Sequence, residues 1–284
     1  MPFVISGRAD ALAETRLGGG QVDKQRDDSG VIGVGDKVVL RDVRKSFRVD
    51  GRVTVALDGI DMVARDREFV TLIGPSGCGK STLFNIICGL MEPEAGQVWL
   101  NSRVDGRRIG TVGYMPQKDL LLPWRSVLDN VILGPELAGV DRRKASREAR
   151  ELLPLFGLAG FEDSYPVTLS GGMKQRAALL RTVSCHRDIM LLDEPFGALD
   201  ALTRSTLQDW LLGIWQRFRQ TVLFITHDVE EAVYLSDRVY VMSARPAQMI
   251  KELTVPLARP RCRDMVATES FLSCKVELLA ALGT

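Results

Sequence analysis

Histidine is nearly missing from this chain. Of its 284 residues only His186 and His227 carry an imidazole, which excludes a His-rich metal centre. The five cysteines (Cys78, Cys88, Cys185, Cys262, Cys274) are an odd number without CxxC spacing, so a disulfide framework and a structural zinc site are not expected. Charge imbalance is also lacking: 37 Lys+Arg stand against 36 Asp+Glu, a formal net charge of +1. A general nucleic-acid binder concentrates an excess of basic residues, and none is present, so no nucleic-acid partner is expected. No apolar run approaches the roughly 18 residues of a membrane span, because stretches such as Val222 to Thr226 end at charges or turn residues. Met1 to Asp10 has neither the basic start nor the apolar stretch of a secretory signal, which points to a cytoplasmic protein. With 45% hydrophobic and 26% charged residues, the composition is that of a globular chain.

Residues 1–35 combine Gly18-Gly19-Gly20 with charges of both signs and little apolar periodicity, and read as a mobile extension. From Lys37 onward Val38, Val39, Leu40, Val43 and Phe47 alternate with charges as in a half-buried strand. Glu68 to Ile73 reads as a second strand, and further β-branched runs fall at Gln97 to Leu100, Thr111 to Met115, Ile189 to Asp193, Thr221 to Thr226 and Arg238 to Met242. Leu207, Trp210, Leu211, Ile214, Trp215 and Phe218 recur at helical spacing and form one apolar core face. Residues 125–185 contain no convincing strand: Arg142 to Glu151 is helix-favouring, Pro154, Gly157 and Gly160 interrupt, and another helix begins at Ser170. Strands alternating with helices imply an α/β fold with a mainly parallel sheet, and the strand-poor middle implies an inserted helical lobe.

Gly74-Pro75-Ser76-Gly77-Cys78-Gly79-Lys80-Ser81 fits GxxxxGK[ST] between a strand and a helix. Its glycines let backbone N–H groups curl around phosphate oxygens at the positive end of the following helix. Lys80 supplies a mobile cation for the β and γ phosphates, and the Ser81 hydroxyl is a ligand for Mg2+. Cys78 reads either as a redox switch or as a small residue that happens to be cysteine. Ile189 to Asp193 is a buried strand ending in Asp193-Glu194, at the edge of the sheet where α/β folds bind ligands. Asp193 suits Mg2+ and Glu194 suits polarising an attacking water. His227 follows another strand and can lie on the same edge, where a structural role is its alternative. Ser170, followed by Gly171-Gly172, is a natural helix cap and a second ready-made anion site.

Taken together, these motifs resemble the ATP-binding subunit of ABC transporters over about residues 36–250. The resemblance implies a P-loop NTPase (RecA-like) core, an N-terminal antiparallel β subdomain and an inserted α-helical subdomain at about 118–180, followed by a short tail at 251–284. It makes Gly74 to Ser81, with Thr82 beside it, the Walker A loop, and Asp193 and Glu194 the Walker B aspartate and catalytic glutamate. Gln117 becomes the Q-loop glutamine and a metal ligand beside Ser81 and Asp193, Ser170 to Gly172 the signature, Phe196 to Asp200 the D-loop and His227 the switch histidine. Phe47 takes the place of the aromatic that stacks on adenine, with strand core as the alternative. ATP and Mg2+ are implied as substrate and metal. A second copy facing head to tail, transmembrane permease subunits and, indirectly, a solute-binding protein are the implied partners, at the cytoplasmic face of the inner membrane. The signature reads LSGGM, with Met173 where glutamine is common, and Leu120 to Asn130 and Asp193 to Thr203 are similar to importers of nitrate, sulfonates and taurine. Importers of vitamin precursors or pyrimidines, and soluble ABC ATPases, are the alternatives. Arg187 stands where relatives have proline, and His186 is expected in an exposed loop. Leu272, Val276, Leu279 and Ala280 predict a terminal amphipathic helix, whose apolar face serves either an interface or plain packing.

Overall fold

Strand β1 (Asp36–Val49) turns back at Asp50-Gly51 into β2 (Arg52–Arg65), and β3 (Phe69–Ile73) leads through a glycine-rich loop to α1 (Lys80–Ile87). β4 (Ala95–Leu100) and β5 (Gly113–Met115) follow. Helices α2 (Val127–Val131), α3 (Leu133–Leu137), α4 (Arg142–Leu152) and α5 (Gly171–Val183) come next. The chain then alternates β6 (Ile189–Asp193), α6 (Ala201–Phe218), β7 (Thr221–Ile225), α7 (Val229–Leu235) and β8 (Arg238–Met242). It ends with β9 (Met249–Thr254) and α8 (Glu269–Leu282). This computed structural model describes residues 33–104, 108–197 and 199–283, so the expected extension at 1–35 lies, up to residue 32, outside the described residues.

Two sheets organise these elements: an antiparallel one of order β2-β1-β4, and a six-stranded one of order β5-β6-β7-β3-β8-β9. All pairings in the larger sheet are parallel except that of β8 with β9. The expected α/β class, with a mainly parallel core, an antiparallel subdomain and inserted helices, is therefore what forms. Every residue of β3, β6, β7 and β8 is buried, as a parallel sheet covered on both faces requires. Alternate residues face opposite ways. Val70, Leu72, Ile189, Leu191, Leu223 and Ile225 join the cluster shared with α1 and the antiparallel sheet. Phe69, Ile73, Met190, Leu192, Val222 and Phe224 join the one shared with the helical lobe and α5–α8.

Three differences from the sequence reading have physical causes. Strand β2 was not expected, although its signal is present: Asp50 (φ 49°) and Gly51 (φ 77°) both take the left-handed conformation of a two-residue hairpin turn. β9 adds an antiparallel edge strand across residue 250, so the sheet continues into the segment expected as a tail. In α8 the expected helix forms but its expected stripe divides: Leu279 packs against the core, Leu272 and Val276 are 49% and 65% exposed, and Phe271, Cys274 and Leu278 supply the buried face. Apolar residues lie on two adjoining stripes of that helix, and its packing on α7 and β9 selects the one centred on Phe271.

Among the described residues no strand falls between β5 and β6, and α2–α5 fill that interval. Trp210 of α6, read as core, is half-buried and joins the lobe to the sheet. Its indole N–H donates to Leu155 O at 3.1 Å, and Phe156 meets its ring edge-on at 5.1 Å between centroids.

Candidate functional site: a phosphate loop and a carboxylate at one sheet edge

Sheet register places the loops. Leu72 of β3 and Asp193 of β6 both lie level with Ile225 of β7, and Leu192 lies level with Met115 of β5. The residues immediately beyond, Gly74, Glu194, His227 and Gln117, therefore emerge together at the carboxyl edge, where α/β sheets bind ligands.

The Gly74–Ser81 loop closes on itself. Gly79 has φ 131°, and a Cβ there would lie 2.9 Å from Leu57 Cδ2, so only glycine lets α1 start this close to β2. A Cβ on Gly74 would meet Met242 O of β8 at 2.7 Å. No side chain caps α1 and no acid sits in its first turn, so its leading amides are available to an anion. Lys80 is 5% exposed, and its ammonium donates to Gly74 O at 2.8 Å and Pro75 O at 3.1 Å. This cation is thus held at the loop by two carbonyls and the Cys78 sulfur, neutral partners that phosphate oxygens would better. Cys78 is 2% exposed with Sγ 3.9 Å from Lys80 Nζ, an enclosed position that offers little access to an oxidant.

Asp193 is buried, and burial above all pushes its carboxyl pKa up; the Glu194 charge adds to this, while a hydrogen bond from Ser81 and the Lys80 charge oppose it. A divalent cation would relieve that buried charge. The oxygens of Asp193 and Ser81, already in contact, are the hard donors that Mg2+ prefers, so these residues fit the ion. Glu194 is bent into positive φ (45°), and its backbone N–H donates to Ile225 O at 3.0 Å. Its Oε2 receives the Gln117 side-chain amide at 3.2 Å and stands 3.4 Å from His227 Nδ1.

The remaining expected residues lie apart from this cluster. Ser170 caps α5, its Oγ accepting from Met173 N at 3.3 Å, and Asp200 caps α6, accepting from Thr203 N at 3.0 Å. The hydrogen bonds from Thr203 hold the Asp200 carboxyl below the usual carboxylate range. A Cβ on Gly171 would lie 3.8 Å from Leu199, so the exposed turn expected as the signature adjoins the loop expected as the D-loop, of which residue 198 is outside the described residues. Phe47 is half-buried on β1, packed against the antiparallel-sheet cluster with Lys45 Nζ 5.9 Å from its ring centroid. His186 is exposed, with Nε2 3.8 Å from Glu148.

Three polar residues that the sequence reading passed over organise the loops. Asn130, fully buried, donates to the carbonyls of Leu122, Arg125 and Ser126 at 3.1, 3.1 and 2.9 Å and accepts from Leu122 N at 2.7 Å. Arg204 donates to Leu199 O at 3.1 Å and stands 3.5 Å from Asp228, linking the D-loop to the segment after His227. Arg181 donates to the carbonyls of Asp119 and Leu120. Isolated polar residues within helices carry no periodic signal, so nothing in the sequence separates them from solvated ones.

A parallel sheet whose glycine-rich turn opens a helix beside a buried aspartate defines a P-loop nucleotide-binding protein. The family described as ABC transporter matches residues 57–197. The chain is similar to an uncharacterised ABC transporter ATP-binding protein of Methanocaldococcus jannaschii, with 44% identity over 246 residues, 87% of this chain and 91% of that protein. It is also similar to the taurine import ATP-binding protein TauB of Rhizobium johnstonii, with 42% identity over 237 residues, 82% of this chain and 90% of the relative. The solved dimeric post-hydrolysis state of the ATP-binding cassette MJ0796, bound to ADP and Pi, superposes with a TM-score of 0.69 at 28% identity, covering 78% of this chain and 100% of that one. The chain belongs to the ABC transporter family, as an ATP-binding subunit. Among its described residues no helix is long and apolar enough to cross a membrane.

Proposed function

We propose that this chain hydrolyses ATP to energise an importer of a small solute such as taurine, an aliphatic sulfonate or nitrate, working as a head-to-tail pair at the cytoplasmic face of the inner membrane. The observation that carries this reading is the convergence of Gln117 and His227 on one oxygen of Glu194, beside the phosphate loop. Gly74 to Gly79 and the first amides of α1 bind the β and γ phosphates, and Lys80 leaves the loop carbonyls for them. Ser81, Asp193 and Gln117 hold Mg2+, which when bound neutralises charge on the phosphates. Thr82 lies beside them at the start of α1. Phe47 stacks on the adenine. Glu194 accepts a proton from the attacking water, and Gln117 and His227 fix the orientation of its carboxylate. Ser170, Gly171, Gly172 and Asp200 meet the ATP held by the second copy, which accounts for the exposure of Ser170, Gly171 and Asp200.

Permease subunits provide the membrane spans, and a solute-binding protein delivers the solute to them. The taurine importer relative supports the solute class, as does the LSGGM signature. Two measurements test the reading. Purified protein is expected to release phosphate from ATP in a Mg2+-dependent manner, and affinity capture from solubilised membranes is expected to retain a multi-span protein. No ATP turnover overturns the hydrolytic reading, and capture without any multi-span partner overturns the transport reading.

A further inference from the structure

Arg181 occupies an unusual position between two parts of the proposed machinery. It lies in the last turn of α5, the helix whose first turn carries the signature Gly171-Gly172, and by helical rise the two ends are roughly 15 Å apart. Its guanidinium is half-buried, and burial pulls its pKa down. Among the described residues no carboxylate accepts a hydrogen bond from it. Both bonds go to successive backbone carbonyls, Nη1 to Leu120 O at 2.7 Å and Nη2 to Asp119 O.

That loop is held where it would not rest by itself. Leu120 has φ 45°, a left-handed conformation that is strained for a residue with a Cβ, and its 58% exposed side chain gains little burial in return. Asp119 secures the next residue by accepting from Leu121 N at 3.0 Å, and Asn130 grips Leu122. Two residues upstream, Gln117 reaches Glu194. A continuous bonded path therefore runs from α5 through Arg181 and Asp119 to Gln117 and the Glu194 carboxylate.

Resting on the ATPase reading above, we propose that Arg181 is a positioning residue: its two-carbonyl fork makes the Gln117 loop move with α5, so that the placement of the signature sets the placement of Gln117 on Glu194. The planar fork suits this role, because two parallel donors fix the orientation of the loop as well as its distance. A lysine ammonium offers a point charge without that orientation.

The test uses the full chain and the Arg181→Met and Arg181→Lys variants, each with 5-fluorotryptophan incorporated. Trp124, four residues beyond Leu120 and 72% exposed, is the reporter, its 19F line assigned with Trp124→Phe. In Arg181→Met the KM for ATP should stay within about threefold. Because a misplacement of order 1 Å costs up to roughly 10²-fold, kcat should fall about 10- to 100-fold. The Trp124 line should shift on Mg-ATP addition in the parent and lose that response in Arg181→Met, with Arg181→Lys intermediate in both readouts. An unchanged kcat and Trp124 response in Arg181→Met overturns the proposal. So does full restoration of both by lysine, which would make the residue a charge rather than an orienting fork. Should the methionine variant not fold, the lysine variant decides, since a parent-like Trp124 response and kcat there have the same meaning. A parent protein without ATP turnover refutes the ATPase reading instead, and the Trp124 comparison between parent and variants still reports on the loop.

Discussion

Replacing Glu194 by glutamine isolates the proposed proton acceptance from every other contact this residue makes. Its Oε2 stands 3.2 Å from the Gln117 amide and 3.4 Å from His227 Nδ1, and a glutamine carbonyl in the same place still accepts from Gln117. The backbone bond from its N–H to Ile225 O does not involve the side chain, and both residue types bear the same strain at φ 45°. Folding stability should therefore change by no more than about 0.5 kcal/mol. An amide cannot take a proton from water, and general-base catalysis contributes typically 10²–10⁴-fold, so the barrier should rise by about 2.7–5.5 kcal/mol. In a phosphate-release assay kcat falls by that factor while KM for ATP stays near the parent value, because only the transition state loses an interaction. Glu194→Gly supplies the opposite combination: it also removes the carboxylate, yet relieves left-handed strain of about 1–2 kcal/mol, so activity drops while thermal stability rises. Turnover of Glu194→Gln within about threefold of the parent would refute the general-base role. A rate loss accompanied by a matching fall in stability would show that the residue acts through structure.

Lys80→Ala should weaken ATP binding by roughly 10²-fold, the worth of one or two charge-assisted hydrogen bonds of about 1.5–3 kcal/mol each, and a calorimetric Kd equal to the parent's would remove the phosphate-loop role. Glu231 is buried against Gln208, whose side-chain amide donates to it at 2.8 Å. Burial raises its carboxyl pKa more than the bonds from Thr226 and Gln208 lower it. Its folded pKa thus exceeds the unfolded one, and the stability it contributes is complete below the unfolded value and lost as pH rises through the folded value. Glu231→Gln should accordingly gain on the parent in melting temperature as pH rises above the ordinary carboxylate range, and a difference that stays constant with pH there would contradict the assigned cause.

Much of the site was legible because its chemistry is local. The glycine spacing of Gly74 to Ser81, the strand ending in Asp193-Glu194 and the cap at Ser170 each require only neighbours in the chain, and each stands on the element expected for it. β2 had a readable turn at Asp50-Gly51, whereas β9 had none, since an edge strand with one exposed face exists only by pairing with β8. The stripe of α8 was undecidable from periodicity, because two adjoining faces carry comparable apolar content and only contact with α7 and β9 selects between them.

By itself the sequence determined the α/β class, the phosphate loop and the residue types at the sheet edge, since backbone propensity, burial period and glycine placement act over a few residues. Only the tertiary structure decided that Gln117, Glu194 and His227 share one oxygen, and that Arg181 reaches back to residues 119 and 120. Those meetings depend on strand order and register, which are set by packing the whole sheet between its two apolar clusters rather than by any segment alone.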